Sequence, residues 1–331
     1  MVRAEAHEHI YTPVARELEQ VFEAIIGVAE GEAEHPAELD ERLLHVLAAP
    51  GKRVRPAITL LTSQLWGRPP DERTIKMATA VELLHIATLI HDDTVDSADT
   101  RRGHATASSL WGGNVAVLLG DYVFATSAKF VCDTHSIRLI RRFAETIAEL
   151  SRGELHEILK AWQPGIDREQ YFIRIFDKTA SLFATSAESG AVLGDADEDA
   201  TAQLRDYGYN LGMAYQVFDD LLDYESTSEQ LGKPACHDLS EGVMTLPAII
   251  AYESGSARDE IDALFETPQG ERSVPLQRAV EAISRSGALD EARSVAKDFA
   301  SRSAMALADI RPSRSLDSLL ELARYASNRR S

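Results

Sequence analysis

The sequence has 331 residues, and its 44% hydrophobic and 26% charged content is typical of a globular protein with a sizeable core. With 53 acidic against 34 basic residues, the formal net charge of -19 argues against nucleic acid as a partner, because a broad basic face is lacking. Only two cysteines occur, Cys132 and Cys236, which excludes a disulfide framework and favours a reducing compartment.

No Pro/Gly/Ser-rich linker or shift in composition divides the chain. We therefore expect a single domain over residues 1–331, with residues 1–11 flexible. The first nine residues, Met-Val-Arg-Ala-Glu-Ala-His-Glu-His, are too charged for a signal peptide. No apolar run approaches the roughly 20 residues that span a bilayer, so we expect a cytoplasmic protein.

Apolar residues recur with helical spacing from residue 12 onward. Thr12-Pro13 fits the start of a first amphipathic helix, and Pro56 fits the start of a later one. Asp71 is placed to cap a long helix that we expect to end at Gly103, and another helix is predicted from residue 106 to about residue 130.

The second half of the chain continues this pattern. Helices are predicted over residues 137–161 and 167–193, and a further one begins at Asp197 or Asp199. No convincing series of alternating strands and no internal repeat is visible, so the predicted class is all-α, a large single-domain helical bundle. Short breaks are expected at Gly255, 268–270, Gly287 and Pro312.

The stretch His85–Asp96 combines a helical pattern with three acids. At about 100° per helical residue, Asp92 and Asp96 fall on one stripe with His85 and Thr88, a turn apart. Two aligned carboxylates suit Mg²⁺, which takes a few carboxylate oxygens together with substrate phosphates and water. In so acidic a protein, a lone cluster of this kind can instead be a solvated surface.

A second acidic cluster has the same pattern. Gln216, Asp219, Asp220 and Asp223 lie at i, i+3, i+4 and i+7, on one face of a helix. Neighbouring carboxylates on apolar helices repel each other unless cations intervene, so the doublet favours a metal site over surface charge. The cations that could hold the matching anion are Lys52, Arg53, Arg55, Arg101, Arg102, Lys178 and Lys233.

In chain order these motifs resemble those of the trans-isoprenyl diphosphate synthases, also called polyprenyl synthetases. They run in the family's order from residue 51 to about residue 247, and the helical pattern is compatible over nearly the whole chain. The resemblance implies an all-α isoprenoid synthase fold with a central active-site cavity, in a homodimer. The motifs are Gly51-Lys52-Arg53-x-Arg55-Pro56, Asp92-Asp93-x-x-Asp96, Arg101-Arg102-Gly103, Lys178-Thr179, Gln216 with Asp219-Asp220-x-x-Asp223, and Gly232-Lys233.

The resemblance implies a Mg²⁺-dependent prenyltransferase that condenses isopentenyl diphosphate with an allylic diphosphate. Asp92 and Asp96 would hold two Mg²⁺ and Asp219 a third, so three ions per active site are expected. The catalytic candidates are Lys178, Thr179 and Gln216, of which Thr179 and Gln216 would lie near the developing allylic cation; Gln216 is also a substrate-binding candidate. The other substrate contacts would be Arg101, Lys178 and Lys233 for the allylic diphosphate, and Lys52, Arg53, His85 and Arg102 for isopentenyl diphosphate.

Product length is predicted from the residues just before the first acidic motif. In this family a bulky ring there is associated with short products, so small Ala87 and Thr88 predict an open tunnel and a product of C20 or longer. Phe124, Ala128 or Phe130 on the next helix would then form the tunnel floor. Alternatively, Ala87 and Thr88 only pack helices together. A long product is membrane-soluble, so at most transient membrane contact is expected.

Two residues depart from the family's pattern. Val243 stands where the family usually has lysine, and Cys236 where it has glycine, and both changes lie near the diphosphate lid. These two changes put the closure of the lid, or its affinity for diphosphate, in doubt.

Two other functions stay open beside a medium- or long-chain synthase. These are a geranylgeranyl diphosphate synthase and a non-catalytic subunit of a heteromeric prenyltransferase. A class I terpene cyclase is disfavoured, because it would need no Lys52-Arg53 cradle for a second diphosphate.

Overall fold

The structure is a computed structural model that describes residues 8–30, 36–225 and 236–326. Most of these residues are helical, and the only strands among them are β1 (Thr100–Arg101) and β2 (His104–Ala105), which pair antiparallel. The all-α prediction is therefore confirmed. The helices are α1 (Glu8–Tyr11), α2 (Ala15–Glu30), α3 (Ala37–Leu47), α4 (Val54–Ser63), α5 (Glu72–Val95), α6 (Ala107–Trp111), α7 (Gly113–Cys132), α8 (Ile137–Lys160), α9 (Arg168–Ile175), α10 (Ser181–Leu193), α11 (Glu198–Glu225), α12 (His237–Ser240), α13 (Leu246–Glu253), α14 (Arg258–Glu266), α15 (Ser273–Arg285), α16 (Ala288–Met305) and α17 (Arg314–Ala326).

The described residues form two compact units. Unit 1 contains the described residues up to Ala144, together with Thr185–Arg205 and Asp309–Leu319. Unit 2 contains Glu145–Ala184, Asp206–Ala308 and the described residues from Leu320 on. The single domain over residues 1–331 stays a prediction. Of the residues expected to be flexible, 1–7 lie outside the described residues, and Glu8–Tyr11 form helix α1.

Several helix starts follow the sequence signals, and one does not. The Asp71 side chain accepts a hydrogen bond from the Thr74 amide at 3.0 Å and so caps α5 as predicted. Thr12 caps no helix, because Thr12–Val14 form a 3₁₀ turn between α1 and α2, in which Pro13 lies at the start. Helix α4 begins at Val54 and has Pro56 in its first turn.

Two predicted helices are interrupted in the structure. Helix α5 ends at Val95 and not at Gly103, because the chain turns into the β1–β2 hairpin, whose turn residues Arg102 and Gly103 have φ angles of 52° and 81°. The helix predicted from residue 106 is broken at Gly112, whose φ of 84° leaves the helical region and separates α6 from α7. Neither backbone angle is visible in hydrophobic periodicity.

In unit 1, helix α5 packs against α2, α4 and α7. Close packing depends on small residues. Gly120 of α7 faces His91 of α5, and a Cβ atom at Gly120 would overlap the imidazole ring. The buried apolar side chains of this unit include Val21, Ile25, Leu43, Leu61, Met77, Leu84 and Val123.

In unit 2, helix α13 lies among α9, α14, α15 and α16 and is buried along most of its length. Its Pro247 lies in the first turn, where a missing amide proton costs nothing. The core around it also includes Tyr171, Met213, Val217, Ile261, Ile283 and Ala292. Met213 and Val217 belong to α11, so this core packs against the helix that carries the second acidic cluster.

Helix α7 corrects one sequence expectation. It has 20 residues, and an 18-residue window within it has a mean hydropathy of 1.5, so by length and composition it could cross a membrane. The prediction that no apolar run approaches this length is therefore wrong; Asp121 and Lys129 interrupt the run but do not shorten the helix. Buried Ala116, Leu119 and Val123 lie on α7, which packs against α5, as expected for a core helix.

Candidate active site

The first acidic cluster lies at the end of α5 in unit 1. Asp96 is the C-cap residue, and its amide donates to the Asp92 carbonyl at 2.8 Å, so the two residues are one turn apart as predicted. Asp92 is half-buried and Asp96 is exposed. These two carboxylates are therefore accessible from solvent at the same helix end.

The middle residue of this cluster has a different role. Buried Asp93 accepts a hydrogen bond from Arg101 Nε at 2.6 Å. Burial raises the pKa of Asp93, against the opposing effect of the Arg101 charge. The structure thus places Arg101, the predicted contact for allylic diphosphate, beside the acidic motif through Asp93.

A cluster of cations surrounds the Glu82 carboxylate in the same unit; we call it the cation cradle, and it consists of Arg53, Arg55 and Arg102 around Glu82. Arg102 Nη1 donates to the Pro50 carbonyl at 2.6 Å. Burial raises the pKa of Glu82, while the charges of Arg55, Arg53 and Arg102 act to lower it. Three cations around one buried carboxylate leave the cradle with excess positive charge that suits an anionic ligand.

Arg53 and His85 are both predicted contacts of isopentenyl diphosphate. Arg53 precedes α4 in the left-handed region with a φ of 48°, and its guanidinium lies 3.9 Å from the centre of the Phe22 ring. Burial holds the pKa of His85 well below its ordinary value, and the positive charges of Arg55 and Arg102 lower it further. His85 is therefore neutral at pH 7, so it would donate a hydrogen bond to the diphosphate without adding charge.

Glu82 was not predicted as a site residue, and Arg55 was predicted only as one of the cations that could hold an anion. Arg55 exerts the largest charge effect on both Glu82 and His85. A signal for Glu82 was available, because it precedes His85 by three residues and so lies on the same helix face. Lys52 is exposed at the edge of this loop.

Lys178 and Thr179 lie in unit 2 in a π-helical turn, Phe176–Ala180, between α9 and α10. Lys178 Nζ lies 2.6 Å from Glu157 Oε1 and 3.0 Å from Glu154 Oε1, both on α8. Thr179 Oγ1 donates to Gln216 Oε1 at 2.6 Å. The structure therefore brings together all three predicted catalytic residues of this unit, with two glutamates that the sequence analysis missed.

The second acidic cluster on α11 is braced by hydrogen bonds. Asp220 is buried, and its two oxygens accept from Gln216 Nε2 at 2.8 Å and from the Tyr171 hydroxyl at 2.6 Å. Burial and the nearby Asp238 charge raise the pKa of Asp220 to about 7, although both hydrogen bonds act to lower it. Asp219 is half-buried and more accessible than Asp220.

These carboxylates fit a divalent cation that shares its ligands with substrate. Within the described ranges, no three His, Cys, Asp or Glu side chains form a ready-made metal cage. Mg²⁺ does not need one, since it keeps waters and takes phosphate oxygens beside one or two carboxylates. Asp92, Asp96 and Asp219 are the accessible oxygen donors.

The residues that depart from the family's pattern have clear backbone roles. Cys236 has a φ of 56°, in the left-handed region that favours glycine, and its amide donates to the Asp223 carbonyl at 2.9 Å. Burial raises the pKa of the Cys236 thiol to about 12, so it is not a thiolate at pH 7. The Val243 amide donates to the Asp238 carbonyl at 2.8 Å. Lys233 lies outside the described residues.

The chain-length candidates lie on α5 and α7 in unit 1. Ala87 is buried, and half-buried Thr88 donates its hydroxyl to the His85 carbonyl at 2.8 Å. Phe130 lines a cavity of about 310 Å³ together with Ala24, Gly27 and Val28 of α2, while Phe124 and Ala128 are half-buried. The role of these residues in product length stays a prediction.

Comparison with known proteins gives a consistent result. The family model described as "Polyprenyl synthetase" matches residues 36–283. A prenyl transferase from Synechocystis sp. is 36% identical over 90% of this chain and 91% of its own length. Heptaprenyl diphosphate synthase component 2 from Bacillus subtilis is 32% identical over 96% of this chain and 87% of its own length. A crystal structure of polyprenyl synthase from Caulobacter crescentus, complexed with calcium and isoprenyl diphosphate, has a TM-score of 0.89 and 34% identity, with coverage of 98% of each chain.

Proposed function

Because the chain belongs to the polyprenyl synthetase family, we propose that it condenses isopentenyl diphosphate with an allylic diphosphate to a medium- or long-chain all-trans polyprenyl diphosphate of C20 or longer. The observation that carries this proposal is the pair of anion sites in unit 1. The solvent-accessible carboxylates of Asp92 and Asp96 suit a metal-bound diphosphate, and the cation cradle suits a second diphosphate without metal. An enzyme that only ionises one diphosphate needs no second site.

The protein groups would divide the chemistry as follows. Asp92, Asp96 and Asp219 would hold Mg²⁺, three ions per site, which when bound would neutralise the allylic diphosphate as it leaves. Lys178 would donate hydrogen bonds to the same diphosphate, and Thr179 and Gln216 would place oxygen atoms beside the carbon that becomes cationic. The C–O bond to the diphosphate breaks, the double bond of isopentenyl diphosphate forms the new C–C bond, and the departing diphosphate takes the proton.

The second substrate would bind in the cation cradle. Arg53, Arg55 and Arg102 supply charge there, and Lys52 lies at its edge. Neutral His85 would donate one hydrogen bond to the diphosphate. This bond would orient the diphosphate but would not neutralise any of its negative charge. Exclusion of water from the reacting carbon would protect the cation from hydrolysis.

We propose a homodimer for the functional assembly. In unit 1, Val117 and Leu118 of α7 are exposed, Leu118 by 67%. In unit 2, Leu155, Ile158 and Leu159 of α8 are exposed, Leu159 by 68%. Large exposed apolar side chains on long helices are typical of surfaces that a second subunit covers. We further propose a cytoplasmic location, with transient membrane contact when a long product is released.

A heteromeric prenyltransferase is the second candidate. It is favoured by the similarity to the Bacillus subtilis protein, which is named as component 2 of a synthase. In that case the exposed apolar side chains of α7 and α8 would contact a different chain. A geranylgeranyl diphosphate synthase is the same chemistry with a shorter product.

The experiment is an elongation assay with the purified full chain, labelled isopentenyl diphosphate, several allylic primers, and Mg²⁺ or a chelator. We expect Mg²⁺-dependent incorporation by a dimer of the expected mass. Asp92→Asn should reduce turnover by orders of magnitude, whereas Asp317→Asn, at an exposed site on α17, should not. Failure of the wild-type dimer to elongate any primer would refute the proposal, and activity only after addition of a second protein would establish the heteromer.

A further inference from the structure

The π-helical turn Phe176–Ala180 carries Lys178 and Thr179 and interrupts the helical path between α9 and α10. A π-turn accommodates one extra residue in a helix, is less favourable than the α-helix and often occurs at functional sites. A turn of this kind keeps its geometry only where surrounding groups hold it. In unit 2, those groups lie on α8, between Arg152 and Glu157.

The first contact between α8 and the turn is close packing at Gly153. A Cβ atom at Gly153 would lie 2.5 Å from the Lys178 nitrogen and 2.8 Å from its Cα. Real Cβ atoms do not approach other atoms so closely, and the neighbouring atoms are backbone that cannot rotate away. Glycine at this position therefore lets α8 lie directly against the backbone of Lys178.

The second contact between α8 and the turn is an ion pair between Arg152 and Asp177. Arg152 Nε donates to Asp177 Oδ2 at 2.6 Å and Arg152 Nη2 donates to Asp177 Oδ1 at 2.5 Å, so the ion pair is bidentate. The Asp177 residue is 1% exposed, whereas the Arg152 side chain is 61% exposed. A buried carboxylate is costly unless it is paired, so the position of Asp177 depends on the arginine that covers it.

Asp177 directly precedes Lys178 in the turn. The bidentate pair fixes both the position and the plane of the carboxylate, and therefore the backbone from which Lys178 and Thr179 extend. Thr179 reaches Gln216 from this backbone at 2.6 Å, and Lys178 reaches Glu157 at 2.6 Å. A shift of the turn would move both side chains together.

We infer that Arg152 is a positioning residue: through its bidentate ion pair with buried Asp177, it holds the π-turn that aims Lys178 and Thr179. The inference rests on the proposed function for what these two side chains do. Arg152 touches no substrate in this account. It acts on the allylic side of the reaction only, because the groups assigned to isopentenyl diphosphate lie in the cation cradle of unit 1.

Kinetics of Arg152→Ala, Arg152→Lys and the control Arg168→Ala test the inference. Arg168 also forms two ion pairs in unit 2, at 2.6 Å with Glu253 and with Glu291, but it does not contact the turn. Because small displacements of catalytic groups are costly, Arg152→Ala should lower kcat/KM for the allylic diphosphate about tenfold or more. The KM for isopentenyl diphosphate should stay unchanged, and Arg152→Lys should recover part of the loss through a single hydrogen bond.

Hydrogen–deuterium exchange of the unliganded protein supplies a readout that does not depend on activity. Arg152→Ala should speed amide exchange across residues 176–180, and Gly153→Ala should do the same by forcing α8 away from Lys178. Arg168→Ala and Gly270→Ala, where a Cβ atom meets open space, should leave this exchange as in the wild type.

The outcomes separate the inference from the proposed function. If the wild type fails to elongate any primer, the proposed function is refuted, and faster exchange in Arg152→Ala still supports the positioning role. If the wild type is active and Arg152→Ala matches Arg168→Ala in kinetics and exchange, the inference is wrong. An equal loss of kcat/KM for both substrates in Arg152→Ala, without faster amide exchange at residues 176–180, would also overturn the inference.

Discussion

Thr179 and Gln216 are separated by 37 residues in the sequence and are joined by a hydrogen bond of 2.6 Å. Gln216 in turn donates to Asp220 at 2.8 Å, and the Tyr171 hydroxyl donates to the other Asp220 oxygen at 2.6 Å. This chain of hydrogen bonds links the π-turn to the acidic face of α11. Asp220 is therefore a brace between the two, which leaves Asp219 as the accessible carboxylate for a cation.

Removal of the Tyr171 hydroxyl should weaken this brace. Because a buried hydrogen bond to a carboxylate is worth more than a neutral one, Tyr171→Phe should lower the free energy of unfolding by about 1–3 kcal/mol. Elongation should slow as well, since Asp220, which accepts from Gln216, is then held by one hydrogen bond fewer. Tyr252→Phe is the control: it removes a less buried bond to Asp262, of 3.0 Å, away from the turn. Urea unfolding and elongation assays measure both effects. Equal losses of stability and of elongation rate in Tyr171→Phe and Tyr252→Phe would contradict the role of Asp220 as a brace.

The titration of Asp220 predicts how stability depends on pH. Its pKa is raised to about 7 by burial and by Asp238. An unfolded aspartate titrates near pH 4, so between about pH 4 and 7 the folded protein binds more protons than the unfolded chain. This contribution is fully present below that window and is lost as the pH rises through it.

Without divalent cations, the free energy of unfolding attributable to Asp220 should therefore fall from about pH 4 to 7. Urea unfolding of the wild type and Asp220→Asn across this range measures the difference, which should shrink as the pH falls. Identical pH slopes for the two proteins would show that Asp220 has an ordinary pKa in the folded state.

The backbone at Cys236 predicts an unusual order of stabilities. Because Cys236 lies in the left-handed region, Cys236→Gly should be about 1 kcal/mol more stable than Cys236→Ala. The control is Cys132, the last residue of α7, where ordinary helical backbone reverses the order and alanine should exceed glycine by up to about 1 kcal/mol. Thermal unfolding of the four variants checks this; the same order at both sites would mean that Cys236 is not strained.

The prediction of an open tunnel concerns Thr88. Thr88→Phe places a ring beside the path of the growing chain, so the product should become shorter, while Thr88→Ser keeps the small volume and the bond to the His85 carbonyl. Mass spectrometry of the products checks both variants. An unchanged product with Thr88→Phe would leave Ala87 and Thr88 as helix-packing residues only.

The features that sequence reasoning predicted best are local. Asp71 and Asp197 cap their helices through bonds to amides three residues on, at 3.0 and 2.8 Å, and such caps depend on neighbours in the chain alone. The one-turn spacing of Asp92 and Asp96 is local too. The hairpin turn at Arg102 and Gly103 and the break at Gly112 were missed because single backbone angles decide them.

The supporting groups of the site were missed for another reason. Glu154 and Glu157 contact Lys178, and Arg152 contacts Asp177, over more than 20 residues of sequence. Helical periodicity gives the face of a residue but not its partner, and a π-turn inside an otherwise helical run shifts that face. Arg55 could be recognised as a cation, but the sequence could not show that its charge has the largest effect on the pKa values of Glu82 and His85.

The measurement that tests the central claim most directly is the chain length of the products made from isopentenyl diphosphate and a short allylic primer with Mg²⁺. Dephosphorylated products are separated and sized by mass spectrometry. The account predicts all-trans polyprenols of C20 or longer from the wild type and almost none from Asp92→Asn. Recovery of the primer without any added isoprene unit, from folded protein at saturating substrate, would contradict it.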